Sequence, residues 1–199
     1  MKRKTIQSAV TAVLLTLAIP AHAERYRVDL IVFTDKTGVG DEAPLPAQAP
    51  DLARSLEPTD TAKLRAAGIE LVPDENFGLM DQWKKLSNSQ RQHPLLRLAW
   101  LQKDPPGERG VSLRLRSGAL LGTAAGNAGA PVYTVDGTVA LLLGRFLHLD
   151  ADLVYTQTSS AGTLGSYQLK ERRRMRRNEL HHLDSPRLGL LARVQKADK

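Results

Sequence analysis

The chain contains no cysteine, which excludes cysteine nucleophiles, Cys-ligated zinc, iron–sulfur clusters, redox pairs and a lipid-modified Cys. Aromatic residues are scarce, at 5%. Without aromatic girdles, and with many charges in any lipid-facing band, an outer-membrane barrel is disfavoured. No serine has a lysine three positions on, and neither Gly-x-Ser-x-Gly nor a P-loop occurs, so penicillin-recognising serine enzymes, esterase-type hydrolases and P-loop nucleotide enzymes lack their signatures. Lys36-Thr37-Gly38 spells a motif of the first class, but without its nucleophile it reads as a chance match in a loop. A glycosidase or lytic transglycosylase built on one or two carboxylates stays open, because such groups meet in space rather than along the chain.

What is present is an ordinary globular composition: 199 residues, 42% hydrophobic and 25% charged. That length favours one domain with a core large enough to need no disulfide or metal staple. The excess of cations begins at the N-terminus. Lys2, Arg3 and Lys4 precede an apolar stretch over 9–19, and Ala21-His22-Ala23 supplies small residues for cleavage, the pattern of a secretory signal peptide over 1–23. A membrane anchor needs about 20 apolar residues, and Pro20 ends this run well short of that. Cleavage after Ala23 leaves 176 residues and removes three cations, so the net charge falls from +7 to +4. The mature chain, 24–199, is expected to be one soluble periplasmic domain, not inserted in a membrane, that meets envelope polymers rather than nucleic acid.

Hydrophobic periodicity assigns the elements. Tyr26, Val28, Leu30 and Val32 share one strand face with Arg27 and Asp29 opposite, while Ile31 and Phe33 make the end apolar on both sides. Four prolines over 34–58 predict a loop with at most short helices. Asp60 or Thr61 caps a short helix that stops at Gly68, and Leu79, Met80, Trp83 and Leu86 are spaced as the buried stripe of a second helix, with Trp83 a core anchor. From His93 onward the chain alternates. Leu96, Leu98 and Trp100, then Val111, Leu113 and Leu115, flank Asp104-Pro105-Pro106-Gly107 and predict an antiparallel hairpin. The Gly- and Ala-rich stretch within 117–131 predicts a mobile connection. Over 132–155, Tyr133, Val135, Val139, Leu141, Leu143, Leu147, Leu149, Ala151, Leu153 and Tyr155 all fall on odd positions. This requires one long bent strand, or two strands joined with parity preserved near Gly144-Arg145. The expected fold is therefore α+β: mainly antiparallel β-sheet with long bent strands and a short helical insertion.

The last third carries the chemistry. As a strand, 167–177 puts Tyr167, Leu169, Met175, Glu171 and Arg173 on one face and Lys170, Arg172, Arg174 and Arg176 on the other. Such a row of guanidinium groups, about 7 Å apart, suits carboxylates, because the planar fork donates two parallel hydrogen bonds. It equally suits an edge strand blunted against aggregation. Arg145 interrupts an apolar face and needs a partner or a solvated cleft. Glu171, Glu179 and Asp184 are expected as internal counter-ions. His181 and His182, adjacent on a strand, point to opposite faces, and with no i, i+4 pair neither they nor His148 predict a metal site.

Two segments then point to a family. Arg145-Phe146-Leu147-His148-Leu149-Asp150-Ala151-Asp152-Leu153 and Arg172-Arg173-Arg174-Met175-Arg176-Arg177-Asn178-Glu179-Leu180-His181-His182-Leu183-Asp184-Ser185-Pro186 resemble the paired signature of the CsiV family, periplasmic cell-shape proteins that bind peptidoglycan. That pattern is roughly Arg-Tyr-Leu-His-Leu, then Arg-Arg-Met-Arg-Ser-x-Glu-Leu-His-Tyr-Leu-Asp-His-Pro and a Gly-containing apolar strand. Ile31-Val32-Phe33, the segment 93–102 and Val135-Asp136-Gly137-Thr138-Val139 agree as well. Phe146, Asn178, His182 and Ser185 depart from it. The resemblance implies a non-catalytic, cofactor-free factor that supports cell-wall synthesis and cell shape. It would bind peptidoglycan and assist a class A penicillin-binding synthase through an outer-membrane lipoprotein activator. The residues expected to bind ligand are Arg145, His148, Arg172, Arg173, Arg174, Arg176, Glu179 and His181. A periplasmic adaptor that docks an acidic protein on the same basic strand, and a wall-cleaving enzyme, are the alternatives.

Overall fold

The computed structural model describes residues 24–37, 43–125 and 129–197; the expected leader over 1–23 lies outside them. The first strand, β1 (Arg25–Asp35), pairs on one side with β11 (Leu188–Lys196) and on the other with β5 (Gln92–Lys103). β10 (Leu180–Asp184) and β4 (Ile69–Leu71) complete a five-stranded sheet in the order β10-β11-β1-β5-β4. A second sheet has the order β2-β9-β8-β7-β6-β3, from β2 (Leu45–Pro46), β9 (Leu164–Arg174), β8 (Leu147–Thr158), β7 (Pro131–Leu143), β6 (Ser112–Thr123) and β3 (Ser55–Leu56). Among the described residues only the short β3–β6 pairing is parallel. The fold is α+β and mainly antiparallel sheet, with a short helical insertion.

One apolar cluster joins the sheets. Tyr26, Val28, Leu30 and Val32 of β1, with Leu188, Leu190, Ala192 and Val194 of β11, meet Val135, Val139 and Leu141 of β7 and Leu147, Leu149, Ala151 and Leu153 of β8. The period-two pattern over 132–155 is thus two strands. Leu143 pairs with Leu147, and the turn through Gly144, Arg145 and Phe146 returns the chain with its parity unchanged. Arg145 lies exposed in that turn rather than on the buried face.

The helical insertion serves both faces of the first sheet: Leu64 of its first helix joins the core between the sheets, and its second helix covers the outer face. Asp60 accepts a hydrogen bond from the Lys63 amide and caps α1 (Thr61–Ala66). Gly68, with φ of +71°, follows where the helix must stop. From α2 (Met80–Ser87) Leu86 joins Leu79 and Phe77 on Ile31 and Phe33, which explains why that end of β1 is apolar on both sides. Trp83 is only half-buried at the margin of this cluster, with the Arg97 guanidinium 4.8 Å from its ring centre. Among the described residues no helix is long and apolar enough to cross a membrane.

Four local expectations change. β5 and β6 do not pair as a hairpin, since β5 joins β1 and β4 while β6 joins β7 and β3. Alternation fixes which face of a strand is buried, not its partner, and the segment after Asp104 crosses from one sheet to the other. The stretch expected as a connection after Gly118 continues β6 to Thr123 through two register shifts, which leave Leu120 exposed. The loop over 34–58 contains the short strands β2 and β3 and no described helix. Asp29, expected on a polar face, is fully buried: it accepts hydrogen bonds from Arg27 Nε and Nη2, both at 2.8 Å, and from the Gly78 amide at 2.7 Å.

Candidate functional site: a cation-rich end of the second sheet

Residues 167–174 are strand, as the alternation predicts, with Tyr167 and Leu169 buried and Lys170, Arg172 and Arg174 outward. Antiparallel register with β8 places Lys170 opposite Asp152, Arg172 opposite Asp150 and Arg174 opposite His148. The first two pairs are ionic: Lys170 Nζ is 2.9 Å from Asp152, and Arg172 donates to Asp150. Asp152 holds the Lys170 ammonium above its usual pKa. Both pairs are largely exposed, so each stabilises the fold little.

Arg174 differs. Its guanidinium lies over Phe146 at 3.4 Å from the ring centre, and Arg145 approaches the same ring at 5.3 Å. Among the described residues neither makes an ion pair with a carboxylate, and Phe146 is 36% exposed. His148 Nδ1 donates to the Phe146 carbonyl at 3.0 Å, which assigns its proton to Nδ1. The hairpin turn and the end of β9 thus collect Arg145, Phe146, His148 and Arg174 in one place.

Arg176, Glu179 and His181 form a neighbouring group on the β9–β10 connection. β9 ends at Arg174, so Arg176 does not extend the strand row. Met175 turns inward, its amide donating to the Leu147 carbonyl at 2.8 Å. Asn178 adopts a φ of +65° at the turn. His181 Nε2 accepts from the Arg176 amide at 3.0 Å, and Glu179 stands 3.8 Å from the Arg176 guanidinium, a loose pair. Arg173 lies apart from the outward row and pairs with Glu171 at 2.6 Å on its own strand face. Of the three expected counter-ions, Glu171 and Glu179 are paired locally. Asp184 has no cationic partner among the described residues.

Beside this end, a groove of about 270 Å³ crosses the outer face of the second sheet. Asp150, Asp152, Lys170 and Arg172 form one wall, and Arg54, Glu108 and Arg109 lie opposite. Its charges are mixed, so the groove is polar without being strongly basic.

Sequence reasoning missed two things. The Asp150–Arg172 pair depends on the β8–β9 register, which no local pattern reveals. Phe146, as the surface on which Arg174 rests, was legible only as an apolar residue beside Arg145. Among the described residues no three His, Asp or Glu side chains gather as a metal-binding group.

No curated protein and no solved structure matches the chain. The family model described as "Peptidoglycan-binding protein, CsiV" matches residues 7–197. With that match spanning nearly the whole chain, and with the hairpin turn and the β9–β10 connection carrying the residues that resemble its signature, the protein belongs to the CsiV family of peptidoglycan-binding proteins.

Proposed function

We propose that this chain is an exported, non-catalytic peptidoglycan-binding protein of the periplasm. It supports wall synthesis and cell shape by assisting a class A penicillin-binding synthase through an outer-membrane lipoprotein activator. The observation that carries wall binding is the pair of exposed guanidinium groups, Arg145 and Arg174, held at Phe146 with no carboxylate among the described residues to neutralise them. Stem peptides of peptidoglycan carry carboxylates, and a guanidinium resting on an aromatic face keeps its N–H edge for such an acceptor. Arg176, loosely held by Glu179, adds a third cation, and His148 and His181 line the same surface. Arg172 and Arg173 already have internal acids and contribute less.

A second role for the same cations has its own support. β2 covers β9 only at Gly165 and Ser166. The stretch from Gln168 to Arg174 therefore lies along a sheet edge with no further strand partner among the described residues. Cations along such an edge oppose strand-to-strand aggregation.

Sedimentation with purified, protein-free sacculi tests the proposal. A wall-binding protein goes to the pellet; an adaptor that contacts only proteins stays in the supernatant. Release of soluble muropeptides during the same incubation would replace the non-catalytic assignment with a wall-cleaving one.

A further inference from the structure

A second cleft lies away from the cluster of Arg145, Arg174 and Arg176, at the β10–β11 turn on the outer face of the first sheet. It encloses about 620 Å³, within the range of about 300–1,000 Å³ usual for small-ligand sites. Its construction rests on one close approach. Phe33 of β1 lies across β11 at Gly189, where a Cβ would sit 2.2 Å from the ring, and so reaches β10 to stack on His182. The ring centres are 5.6 Å apart and the planes 26° from parallel. His182 is exposed, so an imidazole backed on one side by Phe33 faces the cleft.

The rim alternates acceptors and donors. Arg91 Nε donates to Asp35 at 2.6 Å, and its remaining guanidinium edge has no partner among the described side chains. Burial pushes the Asp35 carboxyl up, but hydrogen bonds from the Thr37 hydroxyl and amide and from Arg91 outweigh it and hold the group ionised. Gln92 adds an amide, and Asp184, which shares the outward face of β10 with His182, adds a second carboxylate.

Two carboxylates against one guanidinium repel an anionic ligand, so stem-peptide carboxylates do not suit this cleft. The hydroxyls and N-acetyl group of an amino sugar do: a hydroxyl or the acetamido N–H donates to a carboxylate, the acetyl oxygen accepts from an amide or guanidinium, and the flat C–H face of the sugar rests on a ring. We propose that this cleft is a saccharide subsite that takes the uncharged amino-sugar units of a glycan strand, separate from the arginine end. The inference rests on the wall-binding reading for the source of the sugar.

The test is a titration of the purified protein with chitotetraose, four N-acetylglucosamine units without carboxylate or peptide, followed by amide chemical shifts. The expected result is movement at Gln92, His182, Asp184 and Gly189, with residues 145–148 and 172–176 unmoved. Asp184→Ala, which removes a side chain free of internal bonds among the described residues, should weaken binding about tenfold, the loss of one charge-assisted hydrogen bond. His182→Ala should weaken it as well, with folding checked by thermal melting. No shifts at the cleft, or equal affinity in both variants, overturns the subsite. If wild type still sediments with sacculi in that case, only the subsite falls. If chitotetraose binds the cleft while sacculi stay unbound, the wall-binding reading falls and the subsite stands.

Discussion

Arg174 holds its guanidinium 3.4 Å from the centre of the Phe146 ring, across the β8–β9 pairing from His148. An exposed cation–aromatic contact of this kind is worth about 0.5–1 kcal/mol, a two- to fivefold effect on any equilibrium that needs the cation in place. Phe146→Ala should therefore weaken sacculus binding by about that factor while leaving the melting temperature nearly unchanged, and Phe146→Tyr should restore binding. Equal binding by all three proteins would detach Phe146 from the site.

Gly189 permits the Phe33 ring to cross β11, and a methyl group there would overlap the ring. Gly189→Ala is expected to cost about 1–3 kcal/mol, the usual penalty for overpacking. Phe33→Leu in the same chain should recover part of it. Thermal or urea unfolding of the two single variants and the double variant measures the coupling; additive effects would mean that the two residues do not meet.

Asp29 is fully buried between Arg27 and the Gly78 amide. Arg27 is 26% exposed, so it rehydrates in part when its partner is removed. Asp29→Ala should cost about 3 kcal/mol, at the low end for breaking a buried pair. A loss below about 1 kcal/mol in urea unfolding would contradict this role.

Asp35 links the cleft to pH. Its folded pKa is depressed by Thr37 and Arg91 against the opposing effect of burial. Its contribution is therefore fully present above the unfolded value, about 3.9, and is lost as pH falls through the lower folded value. Asp35→Asn should be less stable than wild type at pH 7, and the gap should narrow toward pH 3. A gap that is constant or wider at low pH would reverse the sign assigned here.

The strands were legible where one face is buried without interruption. Val135, Val139, Leu141, Leu147, Leu149, Ala151 and Leu153 all lie in the shared core. A turn of three residues preserves parity, however, so periodicity alone could not separate a bent strand from a hairpin at Gly144. Partners were less legible than faces: Leu98 and Leu113 alternate as one hairpin would, yet lie in different sheets. The burial of Asp29 depends on Gly78, far along the chain, and left no trace near β1. The cleft was invisible for the same reason, since Phe33, Arg91 and the hairpin that carries His182 and Gly189 come from three separated segments. At the arginine end, composition marked the cations. Register decided which of them pair internally, as Arg172 does with Asp150.

Outward-facing guanidinium groups carry the proposed wall binding, and a sacculus-sedimentation isotherm of a variant with Arg145, Arg174 and Arg176 all changed to Gln probes them most directly. Circular dichroism should match wild type, because none of the three is buried. The bound fraction at low salt should fall at least tenfold, with a weaker salt dependence than wild type. Unchanged binding by a folded triple variant would contradict recognition at this end and leave these cations as protectors of the sheet edge.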